Sequence, residues 1–125
     1  MARILVIEDD RSLRELLRVH LTALGHAVRI APDAAEGIRH LLSHLPDLVL
    51  SDVNMPYMNG LELLRAIRGD DISRHIPVVL LTARTDDETW AEAMRLGVTR
   101  YVTKPVQLQE LVQAVERALK PAPKQ

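Results

Sequence analysis

Several polar side chains of this 125-residue chain stand at or just past the ends of short apolar runs. Glu8-Asp9-Asp10 comes after Ile4-Leu5-Val6-Ile7. Asp52 comes after Leu48-Val49-Leu50, with Asn54 two residues further on. Thr82 follows Val78-Val79-Leu80-Leu81, and Lys104-Pro105 follows Tyr101-Val102. If these runs lie in one sheet, at least three acids, a hydroxyl and an ammonium share one edge of it. Crowded carboxylates repel, so without a cation at least one of them has a raised pKa. A hard divalent cation relieves that repulsion, and an all-oxygen donor set suits Mg²⁺ better than zinc. Charges grouped in this way are a common mark of a functional site.

The elements that must position these groups are legible as patterns. Three of the apolar runs are continuous, as in strands buried on both faces. Ala27-Val28-Arg29-Ile30 supplies one further strand, which ends in Ala31-Pro32 and offers no chemistry. Between the strands run helical stripes: Leu13, Leu16, Leu17, Leu21 and Leu24; then Ala34, Ile38, Leu41, Leu42 and Leu45; then Leu61, Leu64 and Ile67; and finally Leu108, Leu111, Val112, Val115 and Leu119. A weaker stripe over 86–96 turns Ala91 and Met94 inward and leaves Trp90 off it. Ser12-x-x-Glu15, Asp33-x-x-Glu36 and Thr85-x-x-Glu88 read as capping boxes, and Asn59 as a cap. Gly25, Gly69 and Gly97 stand where helices should stop. The order βαβαβαβαβα with short connections predicts an α/β fold, a doubly wound five-stranded parallel sheet with helices on both faces.

Composition narrows the function. The length suits one domain, over residues 1–120, and the tail Pro121-Ala122-Pro123-Lys124-Gln125 reads as a frayed end or truncated linker. There is no Cys, hence no disulfide framework, Cys-based zinc site or Cys nucleophile. With 16 Lys+Arg against 17 Asp+Glu, the chain lacks the basic excess that would hold nucleic acid directly. No apolar run approaches the roughly 18 residues that would span a bilayer, and no signal peptide opens the chain, so a soluble cytoplasmic domain is expected.

The segments VIEDD, LVLSDVNMPYMNGLELLRAIR, VVLLTA and YVTKP, in that order and each closing a strand, resemble the receiver (CheY-like) domain of two-component response regulators. The resemblance spans about residues 3–119. It implies the flavodoxin-like (βα)5 arrangement with strand order 2-1-3-4-5. It also implies that Asp52 is the phosphoacceptor, forming an acyl phosphate with a phosphoryl group taken from a histidine kinase or phosphotransfer protein. Asp9 and Asp52 would coordinate Mg²⁺ directly, Glu8 through water, and Asn54 by its backbone carbonyl. Phosphoryl transfer needs mainly positioning and charge neutralisation. The cation, the Lys104 ammonium and the Thr82 hydroxyl would each hold one phosphoryl oxygen. Thr82 and Tyr101 would act as the switch, read out by an output partner on the face of the fourth helix, fifth strand and fifth helix. Pro105 matches the family proline whose preceding peptide is cis. Asp10 lies one past the matching acidic pair and is assigned a capping or surface role.

Other assignments compete. An Mg²⁺-dependent phosphatase or phosphotransferase with an Asp nucleophile usually carries an Asp-x-Asp pair and a substrate-covering cap. Here Asn54 stands in the second place of that pair, and the length leaves no room for a cap. A degenerate receiver that only binds partners conflicts with the intact set Glu8, Asp9, Asp52, Thr82 and Lys104. Trp90, the only Trp, is a candidate partner contact. Glu36, His40 and His44 stack at spacing four and read as a solvated helix face. Some positions depart from the family. Tyr57 stands where many relatives have Gly, and Asn59 replaces a common Asp. Arg84 is a long cation near the site. Thr99 and Arg100 replace acids typical of the DNA-binding branch that dimerises through its fourth helix, fifth strand and fifth helix.

Overall fold

The computed structural model describes residues 1–83 and 87–120. Five strands, β1 (Arg3–Ile7), β2 (Ala27–Ala31), β3 (Leu48–Asp52), β4 (Val78–Thr82) and β5 (Arg100–Thr103), alternate with α1 (Arg11–Ala23), α2 (Ala34–Ser43), α3 (Gly60–Gly69), α4 (Asp87–Arg95) and α5 (Leu108–Leu119). The sheet is parallel throughout in the order β2-β1-β3-β4-β5. β3 and β4 are buried along their whole length, and β1 beyond Arg3, because helices cover both faces of the central strands.

Two clusters form the core, one on each face. Ile4, Val6, Leu48, Leu50, Val79 and Leu81 meet Leu17 and Leu21 of α1 and Leu111, Val115 and Ala118 of α5. On the other face, Leu5, Ile7, Val49, Val78 and Leu80 meet Leu41 of α2, Leu63, Leu64 and Ile67 of α3, and Ala93 of α4. Adjacent strand residues thus serve opposite cores, as the two-residue period of a strand requires.

Local details correct several expectations. Asp10, not Ser12, caps α1, its carboxylate accepting a hydrogen bond from Leu13 N at 3.0 Å. β1 ends early enough that the first acid after the Glu8-Asp9 pair starts the helix. Asp33 caps α2 by accepting from Glu36 N, and Asn59 forms a full reciprocal box with Glu62. Gly25 and Gly97 take positive φ after their helices, whereas Gly69 is the last residue of α3 and does not. Leu16, Leu24, Leu42 and Leu45 are exposed: Leu16 and Leu42 because each helix buries a narrower stripe than its leucines span, Leu24 and Leu45 because they lie past the ends of α1 and α2. On α4, Ala93 faces the core and Met94 faces outward. The expected box at Thr85 and the positions of Arg84 and residues 121–125 lie outside the described residues.

Candidate functional site

Strand register assembles the site. Ile7 pairs with Ser51, so Glu8 lies beside Asp52, one step on. Asp52 pairs with Leu81, which sets Thr82 next along β4, and Thr82 pairs with Thr103, which precedes Lys104. Asp52 and Thr82 are themselves the last residues of their strands rather than the first residues after them. The strand ladder therefore fixes both backbones, and both side chains are buried. The Lys104–Pro105 peptide is cis, as the resemblance implied.

The acids converge. Oxygen atoms of Glu8, Asp9 and Asp52 lie within 4.8 Å of one another. Lys104 Nζ is 3.0 Å from Glu8 Oε1 and 3.3 Å from Asp52 Oδ2. Glu8 Oε2 accepts from Asp10 N at 3.0 Å, and Asp52 Oδ1 from Asn54 N at 3.3 Å. Arg14 donates to the Glu8 carbonyl, which ties α1 to the end of β1. Behind Asp52 the chain returns closely: Gly60 N donates to Val53 O, and a Cβ at residue 60 would stand 2.4 Å from Asp52 O. Only glycine fits there.

Electrostatics at the site are unbalanced. Burial pushes the Glu8 carboxyl up to about 7. The Asp10 amide and Lys104 pull it down, and the charge of Asp52 pushes it up further. Burial likewise raises Asp52, against the pull of Lys104. Lys104 is held above its ordinary value because Glu8 and Asp52 outweigh its own desolvation. Glu8 Oε1 is buried and receives no well-aligned hydrogen bond among the described residues, its contact with Lys104 being ionic. One ammonium does not satisfy three carboxylates. An additional cation fits this group: the donors are all oxygens, one of them lacks a hydrogen-bond donor, and burial raises the pKa of both Glu8 and Asp52 without it.

A family model, the response regulator receiver domain, matches residues 4–116. The chain belongs to this family. Among its relatives, the virulence transcriptional regulatory protein PhoP of Salmonella typhimurium (strain 14028s / SGSC 2262) is 38% identical over 120 residues, covering 96% of this chain and 53% of that protein. The chain thus spans about half the length of the curated relatives it matches. The chemotaxis protein CheY4 of Vibrio cholerae superposes with a TM-score of 0.89 at 30% identity, covering 94% of this chain and 98% of that one. A signal receiver domain of a histidine kinase from Syntrophus aciditrophicus gives 0.88 at 34% identity, covering 95% and 90%. The receiver domain described here is a two-component signalling module of the kind phosphorylated by histidine kinases. Receiver domains bind Mg²⁺ at an acidic pocket, and this one carries the acidic group Glu8, Asp9 and Asp52.

The remaining expected residues take distinct places. Thr82 is fully buried and shares the sheet face of Leu80 by strand alternation. Tyr101 pairs with Leu80 across the ladder and packs, part-buried, on the same core. Trp90 is exposed on α4. Tyr57 is fully exposed and holds φ 70°, the left-handed conformation that glycine adopts freely. Thr99 Oγ1 accepts from Val78 N, which gives it a structural role. His40 and His44 do not merely face solvent: both line a cavity against the sheet. Among the described residues no helix is long and apolar enough to cross a membrane.

Proposed function

We propose that Asp52 is the phosphoacceptor, taking a phosphoryl group from a phosphohistidine on a partner kinase or phosphotransfer protein, and that residues 1–120 form the working unit. The supporting observation is the meeting of three carboxylates and one ammonium at the carboxyl edge of the sheet. Asp52 Oδ attacks phosphorus, forming an O–P bond as the P–N bond to the histidine breaks, and the imidazole leaves with the electron pair. Glu8, Asp9, Asp52 and the Asn54 carbonyl would hold Mg²⁺. When bound, it neutralises the acids and withdraws charge from the phosphoryl oxygens. Lys104, already 3.3 Å from Asp52, pairs with a second oxygen, and Thr82 donates its hydroxyl to a third. Burial excludes bulk water and slows loss of the acyl phosphate. Glu8, whose carboxylate is wholly enclosed, would act on the cation mostly through water.

The output surface is the face formed by α4, β5 and α5, with Thr82 and Tyr101 as its switch and Trp90 as a contact. The domain acts on a protein partner rather than on nucleic acid directly, in keeping with its net charge of −1. Labelling by acetyl phosphate is the direct test. Asp52→Asn and chelation of Mg²⁺ should each abolish incorporation while leaving the circular dichroism spectrum unchanged. Undiminished labelling of Asp52→Asn would move the site elsewhere.

A further inference from the structure

The opposite end of the sheet carries charge of the other sign. At the amino ends of β1 and β2, a cavity of about 250 Å³ lies against α2, lined in part by Arg3, Leu5, Arg29, His40, His44 and Pro46. Register explains the convergence. Leu5 pairs with Arg29, and alternation puts Arg3, Leu5 and Arg29 on one face of the sheet. Leu5 shares a core with Leu41 of α2, so this is the face that α2 covers. His40 stands in the last turn of that helix, and His44 follows as its C-cap with extended backbone; both line the cavity. Two arginines from neighbouring strands and two histidines therefore line one cavity.

None of these four side chains forms an ion pair or hydrogen bond among the described residues. Arg18, Arg39, Arg65 and Arg95, in contrast, each face a carboxylate. Asp47, which follows Pro46, accepts from the Arg3 backbone N at 2.8 Å rather than from its guanidinium. No acid lines the cavity. Unpaired cations around a concavity with an apolar wall focus positive potential. The planar fork of arginine matches carboxylate and phosphate oxygens. Ala27, exposed and paired with Arg3, gives the lining an accessible apolar part beside that charge, and the volume is close to the lower limit for small-molecule sites, roughly 300 Å³.

We propose that this cavity binds a small organic anion, a carboxylate or phosphate group carried on a compact apolar body. Arg3 and Glu8 are five residues apart on an extended strand, roughly 16 Å at about 3.3 Å per residue. The site is therefore separate from the acidic pocket.

Titration of the isotopically labelled full chain with phenylphosphonate, benzoate and the neutral benzyl alcohol, followed by amide and imidazole NMR signals in the presence of chelator, tests the proposal. At least one anion should give saturable shifts confined to Arg3, Arg29, His40, His44 and their neighbours, and benzyl alcohol should not. Tighter binding of benzoate would point to a carboxylate ligand, and tighter binding of phenylphosphonate to a phosphate ester. Arg29→Glu should weaken the anion at least tenfold. His44→Gln, a milder change at an exposed position, should weaken it several-fold with the rest of the spectrum intact. Absence of saturation with both anions, equal shifts with benzyl alcohol, or undiminished affinity in both variants would overturn the assignment.

Discussion

Enclosing the Glu8 carboxylate beside Asp52 costs free energy whenever both are ionised. The folded-state pKa of Glu8, about 7, lies above its ordinary 4.5. Between those values the folded chain keeps a proton that the unfolded chain has released. Stability in chelator should therefore fall as pH rises through that window and level off above it. Asp52 is shifted in the same sense and adds to the fall. Melting temperatures of wild type and Glu8→Gln, compared from about pH 5 to about pH 8, isolate the effect: the wild type should lose ground to the variant as pH rises. Millimolar Mg²⁺ should reverse that loss in the wild type and raise its melting temperature more at the alkaline end. A constant difference between the two proteins across the range would contradict the assigned burial cost. Tyr57 makes a simpler case. Its side chain touches little, yet its backbone holds φ 70°, a conformation that costs an L-residue about 1–2 kcal/mol. Tyr57→Gly should raise unfolding free energy by about 1 kcal/mol in urea titrations, after the entropy that glycine loses on folding. A destabilised variant would mean that the ring makes contacts worth more than the strain.

At the level of elements, Arg68 links segments that the sheet alone does not join. From near the end of α3 its guanidinium donates to Gly97 O, Arg74 O and Ile76 O, and to Thr99 Oγ1 at 3.4 Å. Charged donors to such carbonyls contribute about 1.5–3 kcal/mol each when well formed, with losses that do not add. Arg68→Ala should cost about 2 kcal/mol in chemical denaturation, with increased hydrogen exchange around Gly97–Thr99. Unchanged exchange there would show that the strand ladder suffices. Nothing in the sequence marks Arg68, because its partners are backbone carbonyls from distant segments. Glu8, Asp52, Thr82 and Lys104 were legible for the opposite reason: each follows a run of apolar strand residues, and parallel strands gather such positions at one edge. Capping was half legible, since Ser12 and Asp10 offer equally good local patterns and only the point where β1 ends chooses between them. Leu42 and Met94 misled because periodicity shows which residues share a helix face but not how wide a stripe the neighbouring elements cover. The cationic cavity beside α2 escaped for a related reason: the histidine spacing was visible, but not the two arginines that register brings to meet it.

Across the whole molecule, the proposed phosphorylation of Asp52 would have to be sensed by α4 on the far side of the sheet. Asp52 shares the face of Leu50, whose core is shared with α1 and α5, whereas Leu80, Tyr101 and α4 belong to the other core. Thr82 can bridge the two, standing at the carboxyl edge next to Asp52 and projecting on the α4 side. Drawing its hydroxyl toward a phosphoryl group would loosen the core against which Tyr101 packs, part-buried. Of the described helices, α4 is the most weakly anchored, with Ala93 its sole fully buried residue, against four such residues on α3 and three on α5. Elements with few buried contacts shift at least cost, so under the proposed switch a small repacking at Thr82 would bias α4 first. Trp90 rides on that helix, half exposed, and as the only tryptophan it gives an unambiguous optical signal. Beryllofluoride with Mg²⁺ should change its emission saturably. Asp52→Asn should abolish the change, and Thr82→Ala should reduce its amplitude while beryllofluoride still binds. A full Trp90 response in Thr82→Ala would show that α4 senses the site by a route that bypasses β4.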